Sequence, residues 1–414
     1  MPEQQEAVLS LISDQETVEL AQTLVRIPSI TAEEGRELSD FLFDWLQLAG
    51  LSPLRQSVPP EPPEVLATSI RSDLPDPKRA SARHNITAAW AGSEPGPRLL
   101  FEGHQDTKWV DGMTVAPFGA EIRDGRLYGR GAADMKGAIA AMMVAMKALR
   151  NSGVRLRGEL WFASEVGEEI NDTGIEALDG AGYLDVDMAV IGEPSNLAVQ
   201  IGNRGAYRFS IALEGRAVHS GLAQQGINAI QKMSKIISGL YDLPFLQDDD
   251  PVWGAPTMNV QKIAGGGRWE ASVADECTVW VDVRTTPRYP AEEVERMVRD
   301  MLQGLSDRDR EMRCTLQPTG RRRMPQAIAP GEPLVQAALR AVRRVRGETQ
   351  PVSACAGVTV AAMLIQRHHI PAVILGPGDL VQAHSRDEWA EVQQIADAAR
   401  IYALLALDIL SQGT

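Results

Sequence analysis

The sequence predicts an α/β protein that carries a second, smaller α+β domain as an insertion. Short continuous apolar runs, each followed by glycine or polar residues, alternate with helical stretches, and this pattern is typical of buried parallel strands. Between residues 205 and 317 the pattern changes to strand, helix, strand, strand, helix, strand. A length of 414 residues suits two or three domains at roughly 150 residues each.

The first predicted domain comprises residues 1–204 and 318–414. Its strands are predicted from apolar runs over residues 99–101, 160–162, 188–191 and 372–375. Apolar residues at helical spacing predict two helices between Glu6 and Ala49 and another over residues 135–150. A Pro-rich stretch over residues 57–78 predicts a loop.

The inserted domain is predicted over residues 205–317. Strands are predicted over residues 208–213, 257–263, 277–284 and 312–317, and helices over residues 226–243 and 291–305. The resulting βαββαβ order is a complete two-layer unit of the ferredoxin-like type.

Composition and charge exclude several classes of protein. With 41 Lys and Arg against 55 Asp and Glu, the net charge is −14, which argues against nucleic-acid binding. The longest apolar run, residues 138–146, is too short for a bilayer, which needs about 20 residues. The three cysteines are widely spaced and no signal peptide is readable at the N-terminus, so we expect a cytoplasmic protein without disulfides. A small-molecule ligand remains as the expected partner.

Acidic residues and histidines follow the predicted strands. They are His104, Asp106, Asp134, Glu168, Glu169, Glu193 and His384. Ligands of open parallel sheets bind at the carboxyl ends of the strands, so we expect these side chains to meet at one edge. Carboxylates and imidazoles without cysteine suit zinc, with cobalt or manganese as alternatives, and a pair of ions needs a shared carboxylate. Asp106 lies on the same strand face as His104 and can accept its ring N–H.

Each of these residues also has a purely structural explanation. His104 can be a satisfied polar residue at a strand end, the two glutamates can form a solvated acidic loop, and the acids after His384 can begin a helix. Their common position at one edge of a sheet favours the metal site.

The segments GHQDT, GRGAADMKG, GEE, GEPS and AHSRDE, in this order, resemble the family of acetylornithine deacetylase, succinyl-diaminopimelate desuccinylase, aminoacylase and the glutamate carboxypeptidases. These are dinuclear zinc metallopeptidases, and the resemblance covers nearly the whole chain. It implies a metal-dependent hydrolase that cleaves the C–N (amide) bond of a small N-acyl amino acid or dipeptide-like substrate. It also implies that the insertion at 205–317 is a lid.

The resemblance implies a role for each residue of the constellation. Asp134 bridges two divalent ions, His104 and Glu193 complete one site, and Glu169 and His384 complete the other. Glu168 is the general base that activates a water molecule, and Asp106 orients His104.

The resemblance extends to the lid. His219 in GRAVHSG matches a histidine that stabilises the oxyanion, often from the other subunit, and Arg284 in DVR matches an arginine that holds the substrate carboxylate. Arg204 and Asn259 are further candidates for substrate binding. Because the lid of many relatives pairs with a second copy, a homodimer is expected.

The sequence departs from the family on the substrate side. An Asn followed by Ile or Val and Pro precedes the second lid strand in several relatives, but this chain has Glu270 and Ala271 there. The family segment Gly-x-Thr/Ser-Asp ends here in Val360. These departures leave two alternatives open. One is hydrolysis of a non-peptide C–N bond, in an amidine, a carbamoyl group or an aromatic amine undergoing deamination; the other is a catalytically silent binding protein, which the presence of Glu168 argues against.

Overall fold

A computed structural model describes residues 2–62, 77–320, 322–348 and 351–411. The chain divides into two compact units. The first is Met1–Ile201 with Ile328–Val352 and Thr359–Thr414, and the second is Gly202–Ala327 with Ser353–Val358. Most of the loop predicted over residues 57–78 lies outside the described residues.

The first unit is built on a mixed sheet whose central strands are parallel. Across this sheet the strands follow the order Ser52–Ser57, His84–Ala91, Arg157–Glu165, Glu94–His104, Met188–Ile191 and Ala372–Ile374. The last four are mutually parallel and the first two are antiparallel to their neighbours. The short strand Gln200–Asn203 pairs antiparallel with Ala372–Ile374 through Gln200. All four predicted apolar runs lie in the parallel strands, because those strands are buried on both faces.

The polar residues that follow the parallel strands lie at one edge of the sheet. His104 is the last residue of its strand, Glu165 ends the neighbouring strand, and Glu193 comes two residues after Ile191. Parallel strands end at the same edge, so side chains that are distant in sequence are brought together there.

Helices cover this sheet. They span Pro2–Leu9, Asp14–Arg26, Glu37–Leu48, Pro77–Ala80, Gly137–Asn151, Thr173–Gly180, Pro333–Arg346, Val360–Met363 and Val392–Ser411. The two helices predicted between Glu6 and Ala49 are Asp14–Arg26 and Glu37–Leu48, with one additional short helix before them. The helix predicted from Met135 begins at Gly137, because the backbone angles of Asp134 (φ −124°, ψ 87°) and Met135 (φ −139°, ψ 35°) are not helical. Its Ala- and Met-rich sequence allows close packing against Val392–Ser411.

A small antiparallel sheet completes the first unit. It pairs Arg126–Tyr128 with Glu121–Arg123 on one side and with Trp389–Glu391 on the other. The segment that carries His384 therefore runs directly into this sheet, which fixes its far end.

The second unit is a four-stranded antiparallel sheet with two helices. The strand order is Thr257–Gly266, Glu276–Thr285, Gly205–Glu214 and Arg313–Pro318, and the helices are Ala229–Tyr241 and Ala291–Arg308. Buried and exposed residues alternate along much of Gly205–Glu214, as expected for a sheet with one covered face. The βαββαβ order and this strand order confirm the predicted ferredoxin-like α+β fold.

Within the described residues, no helix combines the length and the apolar character that crossing a bilayer requires. Cys277, Cys314 and Cys355 form no disulfide bond within the described residues, and the first and last of them are buried.

Candidate metal centre

Two histidines and the carboxylates predicted as metal ligands converge at the carboxyl ends of the parallel strands. His104 Nε2 lies 3.0 Å from Asp134 Oδ1 and 3.8 Å from Glu193 Oε1. His384 Nε2 lies 3.5 Å from Asp134 Oδ2 and 3.0 Å from Glu169 Oε2. The two oxygens of Asp134 therefore face two different imidazoles, an arrangement that fits a carboxylate shared between two ions.

The donor atoms of this cluster fit divalent metal ions. The ligand atoms of His104, Asp134 and Glu169 all lie within 4.8 Å of one another, and so do those of His104, Glu168 and Glu193. Imidazole nitrogens and carboxylate oxygens at such spacing are the usual ligands of zinc, cobalt and manganese. Glu168 belongs to the second of these groups, which gives the predicted general base a geometric alternative as a ligand.

The crowded carboxylates strongly perturb one another. Burial raises the pKa of Glu193 well above its ordinary value, and the charge of Asp134 raises it further. Burial likewise raises the pKa of Glu168 well above its ordinary value, with a further contribution from Glu193. For His104, burial lowers the pKa but the bond to Asp134 and the surrounding carboxylates raise it more, so that the net shift is upward. The cluster thus holds more negative charge than its surroundings compensate, which favours bound cations.

Backbone amides of the loop that carries Asp134 bind a buried carboxylate. Glu388 accepts hydrogen bonds from the amides of Gly131, Ala133 and Asp134 at 2.8 to 2.9 Å, and Arg130 Nη1 donates to it at 2.9 Å. Gly131 has φ +87°, and a Cβ there would lie 2.7 Å from Thr107 Cγ2, so only glycine fits. The structural explanation for the acids after His384 was a helix start, but Glu388 binds the backbone amides of a loop 254 residues away in the chain.

Replacing Glu388 with Gln is expected to destabilise the protein by about 3–5 kcal/mol, because Arg130 loses its buried partner and an amide NH₂ faces backbone N–H groups. The free energy of unfolding in urea measures this change.

The matched control is Glu391→Gln, which removes a carboxylate that pairs with Arg126 at the surface, 3.5 Å away. We expect this variant to stay within about 0.5 kcal/mol of the wild type. Equal unfolding free energies for the two variants would show that Glu388 does not stabilise the loop.

Asp106 contacts His104 through a different atom from the one predicted. The ring nitrogen Nδ1 of His104 lies 2.9 Å from the backbone carbonyl oxygen of Asp106, whereas the nearest carboxylate oxygen is 3.7 Å away. The carboxylate instead accepts hydrogen bonds from the amides of Glu168 at 3.3 Å and Glu169 at 3.2 Å. Asp106 therefore links the end of one strand to the loop after the neighbouring strand.

A buried arginine lies beside the loop that carries Glu168 and Glu169. Arg83 is fully buried and pairs with Glu34 and Glu61, each at 2.9 Å, and its Nη2 also donates to Thr173 at 3.1 Å. Gly167 has φ +79°, and a Cβ there would lie 2.2 Å from Arg83 Nη2. Sequence analysis missed this cluster, because its members lie far apart in the chain and no local pattern marks them.

Lys108 is a second residue that sequence analysis missed. Its Nζ lies 2.8 Å from Glu169 Oε2 and also donates to the carbonyl oxygen of Glu169. Burial lowers the pKa of Lys108, but the charge of Glu169 and the hydrogen bond to it raise it more, so the net shift is upward. The sequence signal that could have indicated Lys108 is its position, four residues after His104.

Predicted residues of the inserted domain lie in the second unit. His219 is exposed, and its Nδ1 accepts a hydrogen bond from the amide of Gly221 at 3.1 Å. This bond leaves the proton on Nε2, which is then free to donate.

The candidate substrate-binding residues make contacts within the second unit. Arg284 Nε lies 3.0 Å from Asp282 Oδ1, and Asn259 is the strand partner of Asp282. Arg204 Nε donates to the carbonyl of Trp253 at 2.7 Å, and burial lowers the pKa of Arg204. Arg284 is thus paired with a carboxylate of its own chain.

Comparisons with known proteins agree with this arrangement. The chain is 28% identical to an N-formyl-4-amino-5-aminomethyl-2-methylpyrimidine deformylase of Bacillus subtilis (strain 168) over 414 aligned residues, which cover 94% of this chain and 93% of the relative. A relative of the same name from Halalkalibacterium halodurans is 30% identical over 341 residues, 75% of this chain and 79% of that protein.

A solved structure shows the same fold. Aminopeptidase PepT from Bacillus cereus ATCC 10987 superposes with a TM-score of 0.74 at 20% identity, covering 96% of this chain and 99% of that one. Residues 100–408, which include every residue of the converging cluster, match the sequence profile of Peptidase family M20/M25/M40. The chain therefore belongs to Peptidase family M20/M25/M40 and is a hydrolytic enzyme.

Proposed function

We propose that the protein uses two divalent ions to hydrolyse the C–N (amide) bond of a small N-acyl amino acid or dipeptide-like substrate. The observation that carries this proposal is the position of Asp134, with Oδ1 3.0 Å from His104 Nε2 and Oδ2 3.5 Å from His384 Nε2. In this proposal Asp134 would be shared between the ions, His104 and Glu193 would hold one of them, and Glu169 and His384 would hold the other. The ligand set favours zinc, with cobalt or manganese as alternatives.

The residues around the cluster supply the proton transfers. Ions held there would lower the pKa of water and polarise a carbonyl oxygen. Glu168 takes a proton from the attacking water and returns it to the departing nitrogen, so that the C–N bond breaks as the amine leaves neutral. Asp106 accepts hydrogen bonds from the ring of His104 and from the amide of Glu168, and it thereby fixes His104 relative to the loop that carries Glu168.

The residues at the positions expected to bind the substrate favour a second candidate function. It is the hydrolysis of an N-formyl group from an amine that carries no carboxylate. Ala271, at the place of the family Asn, has a left-handed backbone with φ 52° and offers no polar side chain. Val360, at the place of the family Asp, is buried and 4% exposed. Arg284 is paired with Asp282. The deformylases among the relatives support this second candidate, in which Arg284, Arg204 and Asn259 would contact neutral polar groups.

The test combines metal analysis with a substrate screen. Purified protein is assayed for bound zinc, cobalt and manganese and then incubated with N-acyl amino acids, dipeptides and N-formyl aminomethylpyrimidines. Amidines, carbamoyl compounds and aromatic amines are included as well. Release of free amine from the amides supports the proposal, and preference for the formylated pyrimidine selects the second candidate. Turnover confined to amidines, carbamoyl compounds or aromatic amines would contradict the proposed hydrolysis of an amide bond.

We further propose a cytoplasmic homodimer that pairs through the second unit, with His219 donating its Nε2 proton to the oxyanion that forms on the substrate carbonyl. The resemblance to relatives that pair through this domain supports the dimer. The three cysteines, which form no disulfide bond in the described residues, support the location, and the bond from Gly221 supports the tautomer. Light scattering that finds an active monomer would contradict the dimer.

Replacing His219 with Ala is expected to lower kcat by about 10²–10³ while KM changes little, because the oxyanion exists only during the reaction. Steady-state kinetics separates the two parameters. The matched control is His369→Asn, which removes an exposed imidazole at a left-handed position, φ 55°, that Asn tolerates. A rise in KM with unchanged kcat in His219→Ala would assign His219 to substrate binding instead.

A further inference from the structure

The proposed second ion position, formed by Asp134, Glu169 and His384, already contacts a protein cation. Lys108 Nζ lies 2.8 Å from Glu169 Oε2 and donates also to the carbonyl oxygen of Glu169. Glu169 is buried, whereas Lys108 is 24% exposed in its side chain. The lysine therefore reaches the cluster from its solvent side.

The lysine and the histidine share one carboxylate oxygen. Glu169 Oε2 lies 3.0 Å from His384 Nε2 and 2.8 Å from Lys108 Nζ. A metal ion held by His384 Nε2 and Glu169 Oε2 would draw electron density from the same oxygen that the ammonium group binds. The ammonium and the ion therefore compete for one ligand atom.

The proposed first position has no such competitor. Within the described residues, the ion pairs of Glu193 and Asp134 are made with histidines alone. The ligand sets of the two positions are otherwise alike, each with one imidazole, one unshared carboxylate and Asp134. Two features distinguish them: the carboxylate of Glu168 lies near His104 and Glu193 at the first position, and one positive charge lies against Glu169 at the second.

We propose that Lys108 makes the second position the weaker of the two, so that the protein fills its metal centre in two distinct steps. The inference rests on the two-ion function proposed above. Loss of the lysine leaves the same carboxylates with one positive charge less, which strengthens cation binding where the charge was removed. Glu193, the unshared carboxylate of the first position, pairs with His104 and not with the lysine, so the first position is expected to keep its affinity.

The experiment measures metal binding rather than turnover. Protein stripped with a chelator is titrated with ZnCl₂ by isothermal calorimetry, and the bound zinc is counted after equilibrium dialysis. The wild type is expected to bind two ions with separate affinities. Lys108→Met is expected to bind the second ion at least about tenfold more tightly and the first ion as the wild type does.

Two further variants separate charge from other effects. Lys108→Arg keeps the positive charge and is expected to retain the weak second step. Lys147→Met removes a lysine that pairs with Glu16 elsewhere in the first unit, and it is expected to bind zinc as the wild type does. Circular dichroism of the metal-free proteins verifies that each variant is folded.

Each result decides a different claim. A second-step affinity that is unchanged in Lys108→Met, or tightened equally in Lys108→Arg, overturns the role of Lys108 and leaves the two-ion centre intact. Binding of only one ion by every variant at millimolar zinc overturns the two-ion function and this inference with it. Two steps that merge into one in Lys108→Met alone support the inference.

Discussion

The variant Glu168→Gln is expected to keep nearly normal metal content and to lose a factor of about 10²–10⁴ in kcat. The substitution preserves size and hydrogen bonding but removes the group that accepts a proton. Burial and the neighbouring carboxylates raise the pKa of Glu168, which suits a group that must accept a proton and then give it up. Its amide is held by Asp106, so the position of the side chain does not depend on its own charge.

Metal content decides between the two roles that the geometry allows for Glu168. Its carboxylate lies in one group of possible ligand atoms with His104 and Glu193, all within 4.8 Å. A ligand replaced by Gln loses the ion, whereas a general base replaced by Gln loses only turnover. Elemental analysis and single-turnover kinetics on the same preparation give both values. Loss of zinc, or turnover close to that of the wild type, would reject the base assignment.

The variant Asp134→Asn is expected to lose both metal and the stability that metal confers. A shared carboxylate neutralises charge on two ions at once, so its removal weakens both positions. Zinc at 100 times its dissociation constant stabilises a folded protein by about 2.7 kcal/mol, and this gain should be present in the wild type and absent in the variant. Thermal unfolding with and without added zinc measures the difference.

The control for this variant is Asp124→Asn, in the exposed turn between the strands Glu121–Arg123 and Arg126–Tyr128. Asp124 has φ 49°, a conformation that Asn also adopts, so the substitution should leave both stability and zinc binding unchanged. Stoichiometric zinc in Asp134→Asn would reject the shared role of Asp134.

Secondary structure elements and their order along the chain were readable from local patterns. The four apolar runs coincide with the four parallel strands, because a strand buried on both faces has few polar positions. The βαββαβ order of the second unit was readable from a different pattern, since a strand such as Gly205–Glu214 alternates between buried and exposed residues in a half-buried sheet. The boundary of the helix at Gly137 was missed, because the turn that carries Asp134 is held by Glu388 and not by local sequence.

Contacts between residues that are distant in the chain could not be predicted from local sequence patterns. The pairing of Arg83 with Glu34 and Glu61, and that of Lys108 with Glu169, depend on which strands and loops become neighbours. A charged residue has no periodic signature, so its burial and its partner appear only after the sheet has formed. The hydrogen bond from His104 to the carbonyl of Asp106, instead of to its carboxylate, is a further example.

The sequence by itself determined the two-domain α/β architecture and the identity of the histidines and carboxylates that follow the strands, because residue type and hydrophobic period are local properties. Only the tertiary structure decided that the two oxygens of Asp134 face different imidazoles, and that Lys108 pairs with Glu169 beside them. These distances depend on strand register and loop anchoring, which are set by packing over the whole sheet.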